Sequence, residues 1–366
     1  MSKLIRAFIV LVGLVSMVAG AAEKEFVRIG VLFETGTSEH VQSRSFMYFW
    51  RGYAEFVNRN GGGPWPLEVI SYPVDPDPAS LRETLAELGG DSLDAVAVAP
   101  GLQLADDIRA SLQGLDVPVF VSPDTDWQDM PQPPSFFSVR QPSDPAIARA
   151  AEVMVPMYPK VTLVVDGMIY VNRIVGVLKR SAGLGGDQVD IEVVEDQRAA
   201  LDAAVAAVHR AGGGMVVLAV GATRAEVLLR PICDAAAGVW VVALSRSVTA
   251  HVINAALHSC GGLVVPTTLP SFNDRTLPVV RRYLAFVNGS QVVAGFDSFE
   301  VFITGELLRQ ALARSAQRQP KALLRELNSG RAYDLGGLVL RYGPGQWSGS
   351  RFEDVLFFNR QGRVVR

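Results

Sequence analysis

The sequence predicts an α/β protein of two Rossmann-like lobes with parallel sheets, and two observations carry that prediction. Short, continuous apolar runs alternate with helix-length segments through most of the chain, and the alternation comes in two successive series. Unbroken apolar strands separated by amphipathic helices are the pattern of a parallel sheet covered on both faces. Two consecutive series of this kind imply two similar lobes.

The first series opens with Val27-Arg28-Ile29-Gly30-Val31-Leu32-Phe33, a short apolar strand. A helix over Val41–Asn60 follows and stops at Gly61-Gly62-Gly63-Pro64, a strong terminator. Strand-like runs recur at Leu67–Ser71, Ala95–Ala99 and Val117–Val121, with helices at Pro78–Leu88 and Ala105–Leu112 between them. Trp127–Pro134 is too rich in proline for a helix interior and suits an irregular loop ahead of the crossing.

The second series begins after Pro142. Helix Asp144–Met157 leads to strand Val161–Val165, helix Asn172–Gly183 and strand Asp190–Glu195. Helix Ala199–Ala211, strand Met215–Ala219, helix Thr223–Ala236 and strand Val239–Leu244 come next, and helix Val248–His258 and strand Gly262–Val265 close the series. Beyond Pro266 the character changes to helices at Pro278–Val287, Asp297–Ala316 and Pro320–Asn328, then short strands at Gly336–Arg341 and Phe352–Phe358. Such a tail completes lobes already begun.

The N-terminus reads as a cleavable export signal occupying residues 1–22. Lys3 and Arg6 form a basic head, Ala7–Val18 is an apolar run too short to span a bilayer, and Ala19-Gly20-Ala21-Ala22 supplies the small residues of a cleavage site near Ala21 or Ala22. No cysteine stands near that site to accept a lipid anchor, so the expectation is a free protein of the periplasm with no direct membrane insertion after cleavage. The formal charge is −3, and losing Lys3 and Arg6 takes it to −5. A mildly acidic chain without a basic run offers no electrostatic footprint for nucleic acid.

Cys233 and Cys260 are the only cysteines. Export into an oxidising compartment invites a disulfide between them, and both fall near the N-terminal edge of a parallel sheet; two separate buried thiols remain the alternative.

Enzyme signatures are poor. There is no Gly-x-Ser-x-Gly elbow, no Walker loop, no Gly-x-Gly-x-x-Gly after the first strand and no paired-histidine zinc motif, so neither a metal nor any other cofactor is expected. His40, His209, His251 and His258 are scattered, and Gly183-Leu184-Gly185-Gly186 reads as a helix C-cap and turn. More informative are polar residues at the C-terminal ends of strands, where open parallel sheets bind ligands. The first lobe offers Glu34–Ser38, Pro100–Gln103 and Ser122–Trp127; the second offers Asp166-Gly167 with Tyr170, Gly221–Thr223 and Ser245–Ser247. Taken singly, Ser38, Asp124 and Thr223 would also serve as helix N-caps. Facing rims would form a cleft.

The order of these motifs resembles the type I periplasmic binding proteins, specifically the leucine/isoleucine/valine-binding family that serves ABC transporters. The resemblance rests on VRIGVLFETG at the start, FVNRNGGG, PVFVSPDTD, FFSVRQPSDPAIARA at the crossing, VTLVVDGMIYVNRIVGVLK, and VAGFDSFEVFITGELLRQAL at the late helix. It implies a multi-strand hinge and lobes of discontinuous chain: about 26–142 with 268–332, and 143–267 with 333–366. It implies capture of a small amino-acid-like or carboxylate-bearing ligand between the lobes, without chemistry, for delivery to a membrane permease. A periplasmic sensor feeding a receptor, or an α/β hydrolytic enzyme, are the competing readings.

In that family the third- and fourth-strand loops of lobe one hold the ligand's carboxylate, and here those loops carry Gly101, Leu102, Asp124 and Thr125. Tyr170 matches the tyrosine that closes over the ligand. Where the family places an acidic residue for the ammonium, this chain has Ser245-Arg246, and Pro100–Gln103 replaces a serine-rich loop. Both departures point away from branched-chain amino acids. Arg246 with Trp127 and Tyr170 would suit an anionic group on a flat or apolar body.

Overall fold

The computed structural model describes residues 26–35, 40–61, 65–75, 77–100, 102, 106–124, 132–158, 160–165, 168–182, 189–193, 197–212, 214–236, 238–315, 319–358 and 364–365. The expected export signal lies outside them. Among the described residues no helix is long and apolar enough to cross a membrane.

The first series forms a five-stranded parallel sheet of β1 (Val27–Glu34), β2 (Leu67–Val74), β3 (Ala95–Val98), β4 (Val119–Phe120) and β5 (Phe136–Phe137), in the order β2-β1-β3-β4-β5. The second forms a seven-stranded sheet. Its parallel part runs β10-β9-β8-β6-β7, from β6 (Val161–Val165), β7 (Val189–Val193), β8 (Met215–Ala219), β9 (Trp240–Ala243) and β10 (Gly262–Thr267). The tail strands β13 (Asp354–Phe358) and β14 (Val364–Val365) add antiparallel to its edge, while β11 (Ala332–Asp334) and β12 (Val339–Arg341) pair as a hairpin. In each sheet the opening strand lies between the next two of its series, so the chain reverses its direction of travel there. Open α/β sheets leave a crevice at that point.

Helices cover the sheets: α1 (His40–Arg59), α2 (Pro78–Gly90) and α3 (Asp106–Gln113) in the first, then α4 (Asp144–Met154), α5 (Met168–Ala182), α6 (Gln197–Ala211), α7 (Ala222–Ala235) and α8 (Ala250–Ser259) in the second. The late helices α9 (Pro278–Asn288), α10 (Phe296–Arg314) and α11 (Pro320–Leu327) follow. Helix α10 has almost no polar face; Phe299, Val301, Phe302, Ile303, Leu307 and Leu308 are all buried. It lies against α1, where the Tyr53 ring meets Phe302 edge-on at 5.8 Å and Phe286 of α9 at 6.0 Å. Gly305 makes the approach possible, because a Cβ there would run into the Tyr53 ring. The chain has thus returned to the first sheet before its tail rejoins the second.

Three segments cross between the sheets, and each carries the same local bond. A hydroxyl donates to the carbonyl two residues on: Ser138 to Arg140 at 2.9 Å, Thr267 to Leu269 at 2.8 Å, and Ser348 to Ser350 at 3.3 Å. The first and third crossings also bond one another, Ser138 N–H to the Trp347 carbonyl and Gly349 N–H to the Ser138 carbonyl, each at 2.8 Å.

Most elements fall where the sequence places them, and the differences have local causes. Helix α4 ends at Met154, three residues early, and residues 155–157 form turns. Strand β5 was not expected, being two residues long and set among loop-forming prolines. Thr223 is not the N-cap of α7: Gly221 holds that place without a side-chain bond. Cys233 and Cys260 form a disulfide, with Cα atoms 4.9 Å apart. It ties the last turn of α7 to the C-cap of α8, at the edge where β9 and β10 begin.

Candidate functional site

A buried charge cluster anchors the first sheet's side of the cleft. Arg140, on the first crossing, is 4% exposed. Its Nε donates to Glu300 Oε2 of α10 at 2.8 Å, one Nη lies 2.6 Å from Asp124 Oδ2, and the other donates to Ser122 Oγ at 3.0 Å. Asp124 also accepts from Ser143, from its N–H at 2.9 Å and its hydroxyl at 3.0 Å.

Two carboxylates and one guanidinium share a volume without bulk water, so each perturbs the others. Burial would push Asp124 up, but Arg140 and the two Ser143 bonds outweigh it and hold the carboxyl below the usual range. Burial dominates at Glu300, whose carboxyl sits above the usual range despite Arg140, helped by Asp297 and Asp124. Burial opposes the Arg140 charge, yet its two carboxylate partners keep it firmly protonated.

Across from this cluster the second sheet presents the ends of β8 and β9. Strand β9 runs out into a single 3₁₀ turn, Ser245–Ser247. The Ser247 hydroxyl fixes that turn by donating to the Val220 carbonyl at 2.6 Å, beyond β8. Ser245 is buried and Arg246 half-buried. On α5, Arg173 makes a bidentate pair with Asp144 at the start of α4, at 2.7 and 2.9 Å. Paired N–H···O bonds of this kind hold a guanidinium in a fixed plane.

A narrow crevice of about 10 Å³ runs between the two sides. Its polar wall is Asp124, Ser143, Asp144, Arg173, Ser245 and Arg246, over a floor of Ile147, Ile174 and Leu244. The space is that of about one water molecule.

Three of the site residues expected from sequence, Asp124, Ser245 and Arg246, therefore meet in one crevice. The Asp124 carboxylate differs from expectation in being engaged by Arg140 and Ser143, because a buried arginine on the crossing draws it inward. The Leu102 side chain is 4% exposed and packs in the apolar cluster with Val98, Ile108 and Val121, which leaves only its backbone for a ligand. Tyr170 lies in the first turn of α5, with its side chain outside the described residues, as are Gly101, Thr125 and Trp127. Sequence reasoning did not single out Arg140, Glu300, Asp144 or Arg173. A signal for one of them existed: Glu300 interrupts the apolar run Phe299–Ile303.

Among the described residues no group of three or more His, Cys, Asp or Glu side chains could hold a metal ion. The exposed His251 and His258 stand apart from the crevice on α8.

No family model and no curated protein sequence matches the chain. Its shape, by contrast, has many counterparts. An extracellular ligand-binding receptor from Verminephrobacter eiseniae is similar over 93% of this chain and 100% of its own, at a TM-score of 0.76 and 17% identity. A branched-chain amino acid ABC transporter protein from Thermus thermophilus, with bound valine, is similar over 93% of this chain and 95% of its own, at 0.72 and 16% identity. A solute-binding protein of an ABC transporter from R. palustris, in complex with benzoate, is similar over the same 93% and 95%, at 0.72 and 14% identity. The described sheets, their switch points and the three crossings between them are those of one architecture, and the chain has the two-lobed α/β fold of the type I periplasmic binding proteins.

Proposed function

We propose that the chain is an extracytoplasmic solute-binding protein that takes a small carboxylate-bearing ligand between its lobes and presents the closed form to the permease of an ABC transporter. The observation that carries this reading is the crevice itself. It lies at the C-terminal ends of both sheets and brings Arg246 and Ser245 of one lobe to face Asp124 of the other. A ligand that touches both walls stabilises the closed arrangement by its differential affinity for it. Arginine at the second lobe's rim favours an anionic group, since a guanidinium matches a carboxylate in geometry and charge.

In this reading the lobes comprise about 26–142 with 268–332 and 143–267 with 333–366. The packing of α10 on α1 and the pairing of β13 with β10 support that division. The protein works in the periplasm, free of the membrane, and performs no reaction. The fold of the valine- and benzoate-bound proteins supports a small ligand in general terms, and Arg246 supports its charge.

The experiment is calorimetric titration of the purified mature protein with a panel of amino acids, aliphatic carboxylates and aromatic carboxylates, with small-angle scattering on each hit. Binding with compaction is the expected result. A panel that produces no heat and no rise in melting temperature overturns the reading.

A further inference from the structure

Besides the three covalent crossings, a backbone contact joins the second sheet's rim to the late helices that pack on the first. Gly295, between α9 and α10, pairs antiparallel with Thr249, just beyond the 3₁₀ turn that carries Arg246. Two bonds flank the pair: Ala250 N–H donates to the Ala294 carbonyl at 2.9 Å, and Phe296 N–H donates to the Val248 carbonyl at 3.4 Å. Val248 and Phe296 are buried, and the Phe296 ring meets Phe272, past the second crossing, edge-on at 5.0 Å.

Each half of this strap is fixed on its own side. Gly295 is fully extended, with φ −177° and ψ 174°. In such a chain the backbone groups of successive residues point in opposite directions, so those of Gly295 face away from Thr249. There the buried Tyr283 hydroxyl of α9 takes both, accepting from the Gly295 N–H at 2.9 Å and donating to its carbonyl at 3.1 Å. Ser298 Oγ lies 2.6 Å from the same hydroxyl and donates to the Val293 carbonyl at 2.8 Å. One side chain thereby stands where a neighbouring strand would, and residues 294 and 296 reach across. On the other half, the Thr249 hydroxyl caps α8 by accepting from Val252 N–H at 3.2 Å. Gly295 admits the approach, because a Cβ there would lie 3.1 Å from the Val248 carbonyl oxygen and 3.3 Å from Thr249 Cγ2.

Through α10 the strap reaches both walls of the crevice. Phe296 opens that helix and holds the carbonyl two residues after Arg246. One turn on, Glu300 holds Arg140 and through it Asp124. Parting the strap would bring Val248, Phe296 and Phe272 to water and undo two backbone bonds. Rotation along the covalent crossings carries no such loss.

We propose that this strap is an additional, non-covalent connection between the lobes that stays closed when the cleft opens, with Tyr283 as the positioning residue that keeps the turn of Arg246 on α10. The lobe division comes from the reading above, but the test needs no ligand.

Hydrogen exchange of the free mature protein, read residue by residue, decides it. The Ala250 and Phe296 amides are expected to exchange within about a hundredfold of the central strand β9. Faster exchange of either overturns the proposal, because the strap then parts with the cleft. Tyr283→Phe removes the hydroxyl alone. It should speed both amides about tenfold, the worth of one buried hydrogen bond, while β8 and β9 keep their rates. Unchanged strap exchange, or equal acceleration of the strap and both strands, removes the positioning role from Tyr283. A variant that fails to fold leaves the wild-type rates to decide the strap. Silence across the carboxylate panel with a slow strap defeats the cleft reading and leaves the strap standing; a fast strap in a protein that binds and compacts does the reverse.

Discussion

Arg140 and Glu300 are 160 residues apart in sequence and 2.8 Å apart in space. Their bond joins the first crossing to the late helix α10, and Asp124 on the same guanidinium adds the rim after β4. Removing the arginine leaves two buried carboxylates without a counter-charge. Arg140→Leu is therefore expected to cost about 3–5 kcal/mol, the usual price of breaking a buried ion pair from one side. Urea unfolding of the variant against wild type measures it; a loss below about 1 kcal/mol would show that water reaches the cluster.

The two carboxylates shift in opposite directions, so their pH dependences oppose one another. Asp124 is lowered in the folded state, so its stabilisation is present above the ordinary aspartate pKa and fades as pH falls towards its folded value. Glu300 is raised, so the folded state binds its proton more tightly and stability falls as pH climbs from the ordinary glutamate pKa through the raised one. Asp124→Asn should flatten the acid side of a stability–pH curve, and Glu300→Gln the side above the ordinary glutamate value. Chemical denaturation at half-unit pH steps distinguishes the two.

Reduction should weaken the second lobe. The Cys233–Cys260 bridge spans a sequence separation of 27 residues, and closing a loop of that size is worth about 3–4 kcal/mol in the chain-entropy account. The Cys233→Ser/Cys260→Ser double variant is expected to unfold at lower urea concentration by that amount, with ligand affinity held once folded. Unchanged stability in the double variant would mean that the packing of α7 on α8 suffices.

Gly305→Ala probes the seam between α1 and α10. The added methyl meets the Tyr53 ring, which is itself fixed by its hydroxyl's 3.0 Å bond to Glu306 and by edge contacts to Trp50, Phe286 and Phe302. Overpacking of this kind costs about 1–3 kcal/mol. Gly330→Ser, a turn position with no neighbour near its Cβ, serves as the comparison for a purely backbone effect, since its φ is 76°.

In the cleft, Arg246→Gln should weaken any carboxylate that the wild type binds by about tenfold or more, while leaving the melting temperature of the free protein within a few degrees. Titration of the variant with the best wild-type ligand measures this. Undiminished affinity would move the anion-binding role elsewhere on the rim.

The strands were legible because they are buried on both faces. Met215–Ala219 is an unbroken apolar run and Val161–Val165 is broken only by the buried Thr162, and the limits of both coincide with the observed strands. Short pairings such as Phe136–Phe137 leave no mark in the sequence, since two residues carry no periodicity. The site was harder for a different reason. Ser245 and Arg246 could be found from their place after a strand, a local property. The engagement of Asp124 by Arg140, and of Arg140 by Glu300, depends on which rim, crossing and helix face one another, and nothing within any single segment records it.

The partners of Ser143 and Asp144 have a mechanical consequence. Ser143 is bound by its amide and its hydroxyl to Asp124, on the first sheet's rim, and the neighbouring Asp144 is clamped by both Arg173 nitrogens on the second sheet's helix α5. The Ser143 amide and hydroxyl thus belong to one half, while its carbonyl, which accepts from Ile147 N–H of α4 at 2.9 Å, belongs to the other. Because the peptide link itself is planar, rotation along this crossing that keeps all of these bonds turns about the Cα–C bond of Ser143.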